Sequence, residues 1–355
     1  MKRLSMIVAM LFATLFTAQA QKIENIILLI GDGMGLASAS MMQLENNYEP
    51  TIFDRADNVA LQKTYSADNR VTDSAASGTA LATGTKTNNT YLGVDPNGAP
   101  LESLFEVAKR NGKSTGVVVT TYVQHATPAA FYAHVGNRHE YAEITRQLVA
   151  STVDVAIGGG MAFFKECYGE DAESVADEHG FSLVHSLDEV AMLSGIEPVL
   201  AILADKEVGE NTGSYLADAT SEALRMLTNA GRYRGFVLVV EGSLIDGMGH
   251  GNDAEAQQRE MEGFMQAIEV AVAYADSHPG TLVVVTADHE TGGLSLVSSN
   301  SDFNLSEQGV EYRWTTDGHS GIMVPIYLYG TGAECINGVM ENSELGATLK
   351  ELVSK

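Results

Sequence analysis

Asn25-Ile-Ile-Leu-Leu-Ile-Gly31 is an unbroken apolar run that ends in Asp32-Gly33-Met34-Gly35. A strand with one wet face alternates apolar and polar residues. A continuous run instead marks a strand covered on both faces, as in parallel sheets. Runs at 114–120, 153–157, 198–202, 236–240, 281–286 and 322–328 read the same way. Helical patterns lie between them, at 101–111, at 214–230 before Gly231, and at 254–276. In the last, Met261, Phe264, Met265, Ile268 and Val272 fall on one face. Strands alternating with helices predict an α/β fold, a central and largely parallel sheet sandwiched by helices. The turn-rich stretches 86–100 and 298–308 read as surface loops.

The ends of these runs carry acids. Residues 25–31 run into Asp32, residues 236–240 into Glu241, and residues 281–287 into Asp288 and His289. In an open parallel sheet the carboxyl ends of the strands form the ligand crevice. Any one of these acids alone reads as a helix cap or a turn residue. Three on separate strands converge, and converged carboxylates repel each other unless cations neutralise them. Glu241-Gly-Ser-Leu-Ile-Asp246-Gly-Met-Gly-His250-Gly adds Asp246 and His250, and Gly247, Gly249 and Gly251 predict a loop that wraps a cation. His319 lies in Asp317-Gly-His-Ser-Gly321, just before a strand. Histidines mixed with carboxylates fit zinc better than magnesium. His134, His139, His179, His185 and His278 lack ligand-rich neighbours and read as ordinary core or surface residues.

A nucleophile is offered by Val71-Thr72-Asp73-Ser74-Ala75-Ala76-Ser77-Gly78-Thr79. Small helix-forming residues follow Ser74, so it stands at a helix start, where a phosphate would meet free N–H groups and the positive dipole end. A plain capping serine is the other reading. No Gly-x-Ser-x-Gly elbow and no phosphate-binding P-loop is present, and Gly31-Asp-Gly-Met-Gly35 is too short for a dinucleotide fingerprint.

Composition narrows the function further. The chain has 355 residues, 45% of them hydrophobic, and a formal net charge of −25. That balance argues against nucleic acid or an anionic membrane as partner. The normal apolar content argues against a disordered acidic chain. Cys167 and Cys335 cannot make a disulfide framework; whether they form one bridge stays open. Lys2 and Arg3 precede an apolar stretch at 4–16, and Ala18-Gln19-Ala20 is a small-x-small cleavage site. The stretch is shorter than the roughly 18 residues a membrane span needs. Residues 1–20 are therefore expected to be a signal peptide, with residues 21–355 one domain, exported to the periplasm or secreted.

Together these residues resemble the alkaline phosphatase family, in a small bacterial form. The matching motifs are Gly31-Asp32-Gly33-Met34-Gly35, Thr72-Asp73-Ser74-Ala75-Ala76-Ser77, Gly84-Thr-Lys-Thr87, His125-Ala-Thr127-Pro-Ala129, Arg138, Val240-Glu-Gly242 with Ile245-Asp246 and His250, Thr286-Ala-Asp288-His289-Glu-Thr-Gly-Gly293, and His319. The resemblance implies hydrolysis of phosphate monoesters by Ser74 and a phosphoserine intermediate. It implies two Zn2+ and one Mg2+. Asp246, His250 and His319 would hold one zinc, and Asp32, Asp288 and His289 the other beside Ser74. Asp32, Thr127 and Glu241 would hold the third ion, with His125 at a position where some bacterial relatives carry Asp. Arg138 would bind two phosphate oxygens. Gly247 stands where relatives usually carry Lys, His or Trp, which predicts a more open site and weaker product binding. The short interval from His289 to His319 leaves no room for the crown insertion of animal enzymes. The family's habit implies a homodimer.

The competing functions are a phosphodiesterase or sulfatase on the same scaffold, or a metal-binding module without activity. A sulfatase needs Pro and Arg after its modified Cys or Ser, and Ser74-Ala-Ala-Ser lacks both. Diesterases of the superfamily commonly use Thr and lack the Arg. The intact ligand set argues against a decayed site.

Overall fold

The structure is a computed structural model and describes residues 22–209, 213–229, 234–299 and 309–355. The signal-peptide expectation and most of the loop at 298–308 fall outside these residues.

The strands, in chain order, are β1 (Asn25–Gly31), β2 (Asn58–Lys63), β3 (Ser114–Tyr122), β4 (Val155–Gly159), β5 (Ser182–Val184), β6 (Val199–Ile202), β7 (Phe236–Gly242), β8 (Thr281–Thr286), β9 (Glu290–Thr291), β10 (Ser295–Ser298), β11 (Val310–Arg313), β12 (His319–Ser320), β13 (Val324–Gly330) and β14 (Gly338–Glu341). Ten of them form one sheet in the order β14-β2-β13-β8-β1-β7-β3-β4-β6-β5. Its neighbours are parallel except around β13, which runs antiparallel to β2 and β8. The apolar run at 322–328 thus marks burial on both faces but says nothing of direction.

Every residue of β1 is buried. Ile26, Leu28 and Ile30 join the core on one face of the sheet, and Ile27 and Leu29 the core on the other. The continuous run is explained by this two-sided covering. The predicted helices appear as Leu104–Arg110, Tyr215–Asn229 and Ala254–Ser277. Phe264 of the last is fully buried, and a Cβ built on Gly242 would lie 2.8 Å from its ring. A large ring can press on the ends of β1 and β7 because those ends are glycine. No helix among the described residues is long and apolar enough to cross a membrane.

Two expectations are corrected. Residues Leu244–His250 form a helix, not a loop. Each interior Gly costs about 1 kcal/mol relative to Ala, and at Gly249 close packing offsets that cost. A Cβ on Gly249 would lie 3.1 Å from Thr291 Cβ. The helix also sets Asp246 and His250 one turn apart on a single face. The second correction is the cap of the helix Ser74–Thr83, which is Asp73 rather than Ser74. Cys167 and Cys335 are both free thiols. Within the ten-stranded sheet sequence reading missed β2, β5 and β14, which are short or carry polar residues, and it missed the short strands β9 to β12 of the two small sheets. In β2, Gln62 is buried and donates to Thr286 Oγ1 and the Ala287 carbonyl.

Candidate active site

β7, β1 and β8 are adjacent and parallel, with Ile30 level with both Glu241 and Thr286. Their carboxyl ends therefore open at one edge, and Asp32, Glu241, Asp288 and His289 leave the sheet together. All four are 0% exposed. The glycines after Asp32 let the chain turn sharply. Gly33 sits at φ +71°, and its N–H donates to Asp288 Oδ1 at 3.1 Å.

Three groups of ligand atoms result. Asp246, His250 and His319 form the first. There Asp246 Oδ2 is 3.2 Å from His250 Nε2, and Asp246 Oδ1 is 3.6 Å from His319 Nε2. The second surrounds His289 Nε2, which lies 3.2 Å from Asp288 Oδ2 and 3.5 Å from Asp32 Oδ1. The ligand atoms that all lie close together here are those of Asp32, Asp246 and His289, without Asp288, so this group shares Asp246 with the first. The third joins Asp32, His125 and Glu241. His125 Nδ1 is 3.8 Å from Glu241 Oε1 and 4.0 Å from Asp32 Oδ2. Asp32 faces two groups at once, one oxygen to each.

The residues fit divalent ions on a direct observation. Both oxygens of Asp32, Asp288 Oδ2, Glu241 Oε1, His125 Nδ1 and Thr127 Oγ1 are buried without a hydrogen-bond partner. Orphaned buried polar atoms are rare because each forfeits its hydration. Here they cluster at one place and all can ligate. Ser243 explains which Glu241 oxygen is left over, since its hydroxyl donates to Oε2 at 2.6 Å.

Electrostatics says the same. Burial, then the charges of Asp288, Asp246 and Glu241, push the Asp32 carboxyl well above the usual carboxylate range. Burial and Asp246 push Asp288 up to about 7. In the metal-free chain these acids hold protons that divalent cations would displace.

Ser74 begins a buried helix at this rim, its Oγ 3.2 Å from His289 Nε2. Its hydroxyl is free for chemistry because Asp73 does the capping, Oδ1 accepting from Ala76 N at 2.9 Å. Asp73 Oδ2 meanwhile accepts from Arg138 Nη1 at 3.2 Å. The Arg138 guanidinium also lies 3.1 Å from His125 Nε2. One aspartate thus ends the helix and aims the arginine, a double role invisible in Thr72-Asp73-Ser74, where any of the three side chains could cap. The predicted site residues Asp32, Ser74, His125, Arg138, Glu241, Asp246, His250, Asp288, His289 and His319 are linked by contacts of 4.0 Å or less at this one edge of the sheet, and Thr127 is buried two residues from His125. His134, His139, His185 and His278 instead bond to backbone carbonyls or a tyrosine elsewhere. None of them, nor His179, enters a ligand group among the described residues. Sequence reading missed Asp73, Ser243 and Thr291, whose only signal is a short polar side chain near a ligand.

A sheet whose central strands end in acids that could hold ions, beside a helix-bound serine, is the site of a hydrolase. The family model for alkaline phosphatase matches residues 23–307, and the chain belongs to that family. It is 32% identical to Alkaline phosphatase 3 of Bacillus subtilis (strain 168), over 91% of this chain and 87% of that protein. The solved alkaline phosphatase of the Antarctic bacterium TAB5 superposes with a TM-score of 0.87 at 33% identity, covering 94% of this chain and 99% of that one. A histidine-to-aspartate variant of the TAB5 enzyme, with Mg bound in its M3 site, superposes with a TM-score of 0.86 at 32% identity over 94% and 99%.

Raised carboxyl pKa values make a stability prediction. Asp32 and Asp288 bind protons more tightly in the folded metal-free chain than when unfolded. The stability this gives is complete below the ordinary carboxylate pKa of about 4 and lost as pH rises through the folded value. The metal-stripped protein is therefore expected to melt at falling temperature between about pH 5 and about pH 8. Added zinc should raise the melting point more at the upper end. A melting point of the stripped protein that is flat across this range contradicts the reading.

Proposed function

We propose that the chain hydrolyses phosphate monoesters to inorganic phosphate and an alcohol, with Ser74 as the attacking oxygen. The observation that carries this is the Ser74 hydroxyl, buried at a helix start and facing the cluster of orphaned ligand atoms. Asp246, His250 and His319 would hold one Zn2+, Asp32, Asp288 and His289 a second, and Asp32, Thr127 and Glu241, with His125 facing them, a Mg2+. Bound there, the cations supply positive charge for oxygens that become negative as the phosphoryl group transfers.

The protein's own residues do the rest. Ser74 Oγ forms a bond to phosphorus while the ester P–O bond breaks and the alcohol leaves with a proton. Water then attacks the phosphoseryl phosphorus and frees Ser74. The transition state is loose, so positioning and charge carry the catalysis. Arg138 is held by Asp73, and a planar guanidinium can grip two phosphoryl oxygens where lysine cannot. The positive end of the helix dipole at Ser74 favours the bound phosphate.

In this reading residues 21–355 act as one catalytic domain, exported after removal of residues 1–20 to scavenge phosphate. The chain would act on small-molecule esters, as a homodimer.

The test is a panel of an aryl monoester, a diester and an aryl sulfate, with and without chelator and added zinc. Monoester turnover should dominate, vanish with chelator and return with zinc. Ser74→Ala should lower it by several orders of magnitude. A variant that keeps most of its turnover overturns the nucleophile assignment.

Gly247 makes a second prediction. It is exposed beside Asp246, and a Cβ there would meet nothing within 4 Å. A side chain can enter that space, and a lysine would bring positive charge to the phosphate site. Gly247→Lys is expected to lower the inhibition constant of inorganic phosphate. An unchanged constant contradicts the open-site account.

A further inference from the structure

Three of the four site histidines, His250, His289 and His319, reach the ligand groups through Nε2, and the other ring nitrogen of each is spoken for. His250 Nδ1 lies 2.6 Å from the Asp317 carbonyl oxygen, and His319 Nδ1 lies 2.8 Å from the Thr72 carbonyl oxygen. A carbonyl only accepts, so both rings carry a proton on Nδ1, and in the neutral form that ligates an ion they present a bare Nε2. His289 is the exception. Its Nδ1 lies 3.2 Å from Thr291 Oγ1, and a hydroxyl can either give or take a hydrogen bond. On that contact alone the tautomer of His289 is undetermined.

A second contact determines it. The Thr291 hydroxyl donates to Asp246 Oδ1, and a carboxylate only accepts. With its proton committed to Asp246, Thr291 can meet His289 only as an acceptor. The proton of His289 is thereby fixed on Nδ1, and Nε2 is left bare toward Asp32, Asp288 and Ser74. The hydroxyl is held rigidly. Thr291 is 1% exposed, and a Cβ on Gly33 would lie 2.7 Å from its Oγ1. Its backbone pairs with His319 across the short β9–β12 ladder, which stacks the His319 ring on His289 at 3.6 Å.

We infer that Thr291 is a positioning residue that sets the tautomer of His289 and ties the Asp246 and His289 ion sites into one unit, so that the two ions are gained and lost together. The inference rests on the proposed metal-dependent function and adds a specific coupling to it. The third group, Asp32, His125 and Glu241, has no contact with the Thr291 hydroxyl and is oriented instead by Ser243.

The test compares Thr291→Val, which keeps the shape and removes the hydroxyl, with Thr291→Ser, which keeps the hydroxyl. Zinc is withdrawn from each loaded protein by a graded competing chelator, and the ions released are counted. Removing an outer partner of a metal ligand costs about 10–100-fold in metal affinity. Thr291→Val is expected to show that loss for two ions in a single step, and Thr291→Ser to behave as wild type. Unchanged zinc affinity in Thr291→Val, loss of one ion only, or equal loss in both variants overturns the inference. A wild-type chain that takes up no zinc overturns the functional reading and this inference with it. A measurement on the loaded wild type needs no variant: imidazole nitrogen resonances should show the His289 proton on Nδ1, and a bare Nδ1 there also overturns the inference.

Discussion

Like charges forced together out of water hold this molecule's architecture to its purpose. Asp32, Asp288 and Glu241 are fully buried where three neighbouring parallel strands end, and Asp246 joins them from the next helix. In a low-dielectric interior such a group either keeps its protons or takes up cations. The metal-free chain takes the first option, and the free oxygens, which point at one another and at imidazole nitrogens, are the atoms that cations would meet when they displace those protons. Fully ionised, these carboxylates carry four negative charges. Three divalent ions would exceed that by two, which allows an overall acidic chain to receive a phosphate dianion.

The rest of the site is arranged around that charge. The helix Ser74–Thr83 is wholly buried and begins at the rim, which it can do because Asp73 satisfies the first turn. Asp73 also anchors Arg138, so the Ser74 hydroxyl and the Arg138 guanidinium are referenced to one carboxylate. Ser77, one turn further on, donates to the Asp288 carbonyl at 2.6 Å, and Asn342 donates to Ser77. The nucleophile helix is thus pinned to the strand end that bears two ligands and to the C-terminal helix Asn342–Ser354. Ser243 and Thr291 do for Glu241, Asp246 and His289 what Asp73 does for Arg138. Each selects which atom of a ligand is left free.

The sequence made the frame legible because burial on both faces writes itself as an unbroken apolar run, and the acids that follow such runs stand out. Residues 25–31, 236–240 and 281–286 are readable for that reason, and with them Asp32, Glu241 and Asp288. Direction was not readable, since β13 is as apolar as its parallel neighbours. The helix Leu244–His250 was hidden by its glycines, which suggest a loop when propensity is read alone. Gly249 serves close approach to Thr291, a long-range contact that no local pattern encodes, while Gly247 faces open space. Outer hydrogen bonds were hidden for a related reason: a threonine that decides a histidine tautomer looks like any other threonine until the fold brings the two together.

The convergence of buried acids on divalent cations is tested most directly by anomalous diffraction from crystals grown with zinc and magnesium, recorded on both sides of the zinc absorption edge. The account predicts zinc peaks between Asp246, His250 and His319 and between Asp32, Asp288 and His289, the latter beside Ser74. Crystals that show no anomalous peak among these side chains, with the carboxyl groups instead bonded to one another through protons, would contradict it.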